Sequence, residues 1–421
     1  MTRESGQSTE AGASENSAVS EAPPPTVRLQ ISAAKKLNLA AFQNAVPALY
    51  ELVIVNETSS PISELTVQLI SEPPFVKPRV WNVESVGAGE SYHLRDLDVQ
   101  LDGALLSRLT EAESASLHFE LRSRKQSDEV LAKNDSTVEL LARNQWGGIG
   151  HLPEMVAAFV QPNDQAIDRL LKGAALALQT GGKSGSIDGY THGSKRAWEL
   201  ASGIWAAVLQ RKLNYALPPA SFEHTGQKVR SPSQVLDGGL ATCLDLALLF
   251  AACLEQAHLN PLLVFTRGHA FVGVWLREEE FSTSVVDDIT AVRKRLKLQE
   301  MLVFETTLAA QGQAVSFSQA IANANRQLSE EEEDKFELVI DVKRARMSRI
   351  KPLAQAHAVA EAMPVEVEPE GTISIEDAPD LPDEAITDTP TSELDPKDRL
   401  ARWQRKLLDL SLRNTLLNFK Q

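Results

Sequence analysis

Only two of the 421 residues are cysteine, aromatic residues make up 5% of the chain, and no uninterrupted run of eighteen apolar residues occurs. The cysteine shortage excludes a disulfide scaffold. Cys243 and Cys253 stand ten residues apart in a stretch that reads as one helix, so at a rise of about 1.5 Å per residue they lie roughly 15 Å apart, about twice what a disulfide spans. A reducing cytoplasm fits that usage. The lack of a long apolar run, together with a polar stretch over residues 1–26, gives no sign of a membrane span or a secretory signal. The eight histidines form neither an HExxH motif nor a Cys/His cluster, so no metal and no cofactor is expected.

The net charge of −15 is concentrated at the two ends. Residues 1–26 contribute −3 and residues 366–395, with eleven acids and no base, contribute −11, which leaves −1 for everything else. The bulk charge therefore says nothing about the partners of the folded part.

What is present divides the chain. Residues 1–26 read as a disordered leader, being too polar to order themselves. From 27 to 143, runs such as "ALYELVIVN", "ELTVQLIS" and "SLHFELRS" alternate apolar and polar residues between turn-rich segments, the pattern of a small antiparallel sandwich of immunoglobulin-like or fibronectin-like type. From 144 to 355 the texture changes to helical runs, "AIDRLLKGAALALQT" and "KRAWELASGIWAAVLQRKL", followed by strands near 260–266, 269–276, 301–306 and 335–343, which is an α+β order. The fold class expected is therefore multidomain, all-β followed by α+β. Residues 356–395 read as an acidic disordered linker. Residues 396–421 read as one amphipathic helix, with Trp403, Leu407, Leu410 and Leu417 on a stripe that has nothing to pack against.

The chemistry concentrates in "GGLATCLDLALLFAACLEQAHLNPLLVFTRGHAFVGVWL", residues 238–276. Thr242 and Asp245 stand three apart as a capping box with Asp in place of Glu, which makes Thr242 the N-cap and Cys243 the first helical residue. A thiol there sits at the positive end of the helix dipole, where the thiolate is favoured. Gly238 and Gly239 let the backbone turn sharply before it. Cys253, in mid-helix with apolar residues all round, reads as core. His269 opens the second strand of a hairpin turned at "RGH". A cysteine at a helix start and a histidine at a strand start form a nucleophile and base in the order of papain-like hydrolases.

These residues carry a family resemblance. "SPSQVL", "TCLDLALLFAACLEQA", "GHAFVGVWL" and "LVFETT" resemble the transglutaminase-like (papain-like) superfamily of cysteine peptidases and acyltransferases over residues 144–350. The resemblance implies Cys243 as nucleophile, His269 as base and Glu305 as orienting carboxylate, where Asp is commoner. It also implies a protein or peptide substrate. Asp287 and Asp288 read instead as residues of a helix start. Trp146 and Gln234, with Gln145, are candidate substrate-binding or oxyanion residues. A second, narrower resemblance joins "RWQRKLLDLSLRNTLLNF" and the N-terminal order of motifs to large bacterial superfamily-1 helicases with a Vsr-like nuclease tail, proteins associated with phage defence. It implies helicase and nuclease domains as partners, with nucleic acid reached through those domains. The reading from another class is an inactive fold that regulates the helicase and nuclease as a protein-interaction module.

Three motifs are set aside. "GGKSGS" at 181–186 lacks the first glycine of a phosphate loop, since Ala177 stands there, and reads as a flexible loop. "EEEEDK" at 330–335 reads as a solvated loop, and "VKRARMSRIK" at 342–351 as a charged strand edge.

Overall fold

The computed structural model describes residues 26–126, 129–150, 152–312, 315–354 and 375–382. The leader and the amphipathic stretch 396–421 lie outside these residues. The fold is mixed α and β with several sheets, and the chain divides into two compact units. The first takes its described residues from up to Lys35, from Pro47–Asp102 and from Ser114–Glu139; the second takes Lys36–Val46, Gly103–Glu113 and the residues from Leu140 onward.

In the first unit, β1 (Val27–Ala33), β2 (Leu49–Asn56) and β5 (Ser91–His93) form one antiparallel sheet in the order β1-β2-β5. A second sheet carries β7 (Glu129–Leu140), β6 (Glu113–Ser123), β3 (Ile62–Glu72) and β4 (Arg79–Val86) in that order. Alternation sets one face inward: Leu65, Val67 and Leu69 on β3 and Ala115, Leu117, Phe119 and Leu121 on β6 are buried while most of their neighbours are not. The buried Asn56 at the end of β2 donates from Nδ2 to Ser60 O and Gly87 O at 2.9 Å, fastening one sheet to the corner after β4. The segment "SYHLRDLDVQLD" forms a strand only over Ser91–His93, and Trp81 Nε1 donates to Asp96 O beyond it.

The second unit begins with β8 (Gln145–Trp146) and two long helices, α1 (Gln165–Thr180) and α2 (Gly193–Leu209). Three short elements and a helix follow: β9 (Asn214–Tyr215), β10 (Gln227–Lys228), α3 (Pro232–Gly238) and β11 (Leu240–Ala241). Then come α4 (Cys243–Gln256) and the hairpin β12 (Pro261–Thr266) and β13 (His269–Trp275). The remainder is β14 (Val285–Val286), α5 (Ile289–Lys297), β15 (Met301–Phe304), α6 (Phe317–Gln327), β16 (Phe336–Asp341) and α7 (Val342–Met347). The five strands from β12 to β16 make an antiparallel sheet in the order β14-β16-β12-β13-β15. On it packs α4, buried from Cys243 through Leu254 because it is apolar on every side. No described helix is long and apolar enough to cross a membrane.

One expectation needs correction here. "VKRARMSRIK" is not a strand edge: Asp341 accepts from Arg344 N at 2.9 Å as an N-cap and starts α7. Arg346 on that helix pairs bidentately with Glu255 at 2.8 and 2.9 Å and donates to the carbonyls of Ala157 and Val160, so the basic run staples the domain. Within the stretch read as an acidic linker, residues 375–382 are described and contact Lys183 and Ser318.

Candidate active site

The cysteine is positioned by caps. Gly239, at φ +63°, closes α3 in a left-handed conformation that most side chains resist, and the chain then pairs β11 in parallel with β9. Thr242 Oγ1 accepts from Asp245 N at 3.2 Å while Asp245 Oδ2 accepts from Thr242 N at 3.0 Å, a complete capping box with Cys243 at its first helical position. The Asp245 carboxylate, fully buried, also takes Arg230 N and Arg230 Nη1 at 2.8 Å each. One acid therefore fastens both the helix start and the incoming loop.

The histidine is positioned by the hairpin, where His269 lies opposite Thr266. On the other side β13 pairs with β15 in the register Val272 to Phe304. Continuing that antiparallel register by one residue sets Glu305 opposite Phe271, which shares a face with His269. Glu305 Oε2 lies 2.7 Å from His269 Nε2. The rest of the carboxylate is satisfied: Thr307 donates N and Oγ1 to Oε1 at 2.9 and 2.8 Å, and Gln327 at the end of α6 donates Nε2 to Oε2 at 2.5 Å. Its reach is fixed by four hydrogen bonds. Asp288 is an N-cap for α5, accepting from Thr290 N at 2.8 Å.

With Nε2 committed to Glu305, Nδ1 is the ring nitrogen that remains, and the Cys243 side chain is near enough to the imidazole to act on its titration. Burial alone would hold the imidazole pKa down, but the contacts to Cys243 and Glu305 outweigh it and push it up to about 10. Burial likewise opposes ionisation of Glu305, and His269 and Thr307 override it, leaving the carboxyl below its ordinary range. Tyr215 of β9 stands beside the thiol, and its phenol is pushed up by burial first and then by Cys243 and Glu305. The arrangement favours the protonated form of the imidazole beside a carboxylate.

Exposure differs across the three. The His269 side chain is 22% exposed and that of Glu305 7%, whereas Cys243 has no exposed surface. A cleft of about 950 Å³, lined by His269 and Gln327 with Arg267, Arg293, Lys297 and Arg326, reaches the imidazole.

Of the other candidates, Trp146 is fully buried on β8, where it pairs with Gln227 of β10 and lies 5.1 Å from the Phe265 ring. Its indole N–H has no hydrogen-bond partner. The exposed side chain of Gln234 accepts from Ser231 N at 2.9 Å in the capping box of α3, so its amide oxygen is engaged at the helix start. Gln227 stands closer to the chemistry, donating Nε2 to Thr242 Oγ1 at 3.0 Å while its buried Oε1 has no partner. The sequence signal for Gln227 is slight, one polar residue among several in "HTGQKV"; Gly226 before it, at φ +86°, is needed because a Cβ there would come within 2.0 Å of Trp146 O. Tyr215 and Gln327 carried no local signal, since both reach the site through tertiary packing. Among the described residues no group of three or more His, Cys, Asp or Glu could hold a metal ion. No family model matches the chain, and no curated protein matches it.

Proposed function

We propose that the second unit performs cysteine-dependent acyl transfer at a peptide or isopeptide bond. The observation that carries this reading is the placement of His269 between a thiol at a helix start and a carboxylate held by four hydrogen bonds. The Cys243 sulfur attacks the substrate carbonyl carbon, and the C–N bond breaks as the leaving amine takes the imidazolium proton. Water or an amine then attacks the thioester, His269 accepts its proton, and the sulfur leaves as thiolate. Glu305 fixes the ring orientation and tautomer. Gln227 contacts the cap of Cys243 and pairs with Trp146, both carry an unpaired buried polar atom, and the indole N–H is the donor we assign to the developing oxyanion.

Within this reading the second unit has a transglutaminase-like fold and the first an immunoglobulin-like or fibronectin-like sandwich. Its setting is a bacterial helicase and nuclease protein of phage defence. The complete burial of Cys243 favours a second reading, an inactive fold that serves those domains as an interaction module.

The two are separated by incubating the full chain with a glutamine-bearing protein and a fluorescent primary amine, following amine incorporation, ammonia release and backbone cleavage together. Acyl transfer yields at least one product that disappears in Cys243→Ala. Identical traces for the parent and Cys243→Ala would leave only the interaction module.

A further inference from the structure

The octapeptide "IEDAPDLP", residues 375–382, belongs to the most acidic part of the chain and to the second unit. Three side chains hold it. Ile375 packs at the end of α1, so close that a Cβ on Gly181 would come within 2.9 Å of its own Cβ. Glu376 Oε2 accepts from Ser318 N at 3.1 Å and from Ser318 Oγ. Asp377 Oδ1 accepts from Lys183 Nζ at 2.8 Å. Lys183 holds the Asp377 carboxyl below its ordinary range, and Lys195 adds to that effect more weakly.

The receiving surface suits such a segment for a physical reason. Ser318 is the second residue of α6, so its N–H has no acceptor within the helix, and the helix dipole favours a carboxylate at that end. Two lysines beside it supply positive charge. Each contact is exposed and weak alone. Twenty residues join Ala354 to Ile375 in the sequence, however, so the docking is intramolecular and draws on an effective concentration rather than on a free one.

The grip also falls on a particular helix. Glu305 N donates to Ala320 O in the first turn of α6, and Gln327 at its other end donates to the Glu305 carboxylate. We propose that Lys183, Lys195 and the start of α6 form a docking surface for an acidic extended segment, that residues 375–382 of this same chain are its occupant, and that docking braces the helix holding Glu305. The docking itself does not depend on the acyl-transfer reading.

Residue-resolved hydrogen exchange on the full chain tests it without any activity. In Glu376→Ala/Asp377→Ala the Ser318 amide should exchange at least about tenfold faster than in the parent, since its acceptor is gone. In Lys183→Asp the Ser318 amide should likewise exchange faster, and adding Asp377→Lys to Lys183→Asp should restore its protection. The brace predicts that the Gln327 side-chain amide resonances shift on undocking while those of residues in α1 distant from Gly181 stay fixed. Unchanged exchange at Ser318 in both variants would overturn the docking; altered exchange with unmoved Gln327 resonances would overturn the brace.

Discussion

The two ends of the comparison that matters most lie on one helix. Cys243 and Cys253 of α4 are both free thiols with no exposed surface, ten residues apart. Around Cys253 burial is the whole environment, and it pushes the thiol pKa up. Around Cys243 the helix begins, a buried aspartate closes the cap, and an imidazole and a phenol stand within reach of the sulfur. Burial alone therefore fails to separate a core thiol from a candidate nucleophile. Charged neighbours and position on the helix separate them.

The strongest way to break that contrast is substitution of the sulfur. Cys243→Ala should reduce acyl transfer by about 10³-fold or more, while Cys253→Ala leaves the rate essentially intact; steady-state kinetics on both variants decide it. Next in size, Glu305→Gln should cost about 10²- to 10⁴-fold in kcat with an unchanged fold, because the neutral amide no longer stabilises the imidazolium or selects its tautomer. Circular dichroism beside the kinetics separates this from unfolding.

The contrast is sharpened by titrating His269 through its ring nitrogen resonances. Its pKa of about 10 stands above the ordinary value of 6.5, so the stabilisation it supplies is complete below about 6.5 and is lost as pH rises through about 10. The depressed Glu305 carboxyl contributes above its ordinary value of 4.5 and loses that contribution as pH falls through the lowered one. Cys243→Ala should move the ring titration down, whereas Cys253→Ala should leave it in place. A smaller effect is expected at Gly226→Ala, about 1–3 kcal/mol of stability from a strained positive φ and a close approach to Trp146 O, read from denaturant unfolding. The smallest is Cys253→Ala itself, about 1 kcal/mol for the small cavity it leaves.

The elements that build the site were legible because their signals are local. The capping box at Thr242 and Asp245, the hairpin turned before His269 and the strand ending at Glu305 each follow from a few adjacent residues. The basic run after Asp341 is helical because Asp341 caps it at Arg344 N, a local signal that the charge of the run obscures, and Arg346 then pairs with the distant Glu255. Gln234 was chosen for its proximity in sequence to the cysteine, yet Ser231 three residues earlier already marked it as a capping residue. Tyr215 and Gln327 approach from 28 and 84 residues away along the chain, a separation that no local pattern encodes.

The most direct test of the central claim is to trap the acyl group. The full chain is treated with an activated aryl ester, and the acylated residue is located by mass spectrometry before and after hydroxylamine, which releases thioesters. The account predicts a hydroxylamine-labile acyl group on Cys243, none on Cys253, and none on Cys243 when His269 is replaced by alanine. Acylation of neither cysteine, or equal acylation of Cys243 with and without His269, would contradict it.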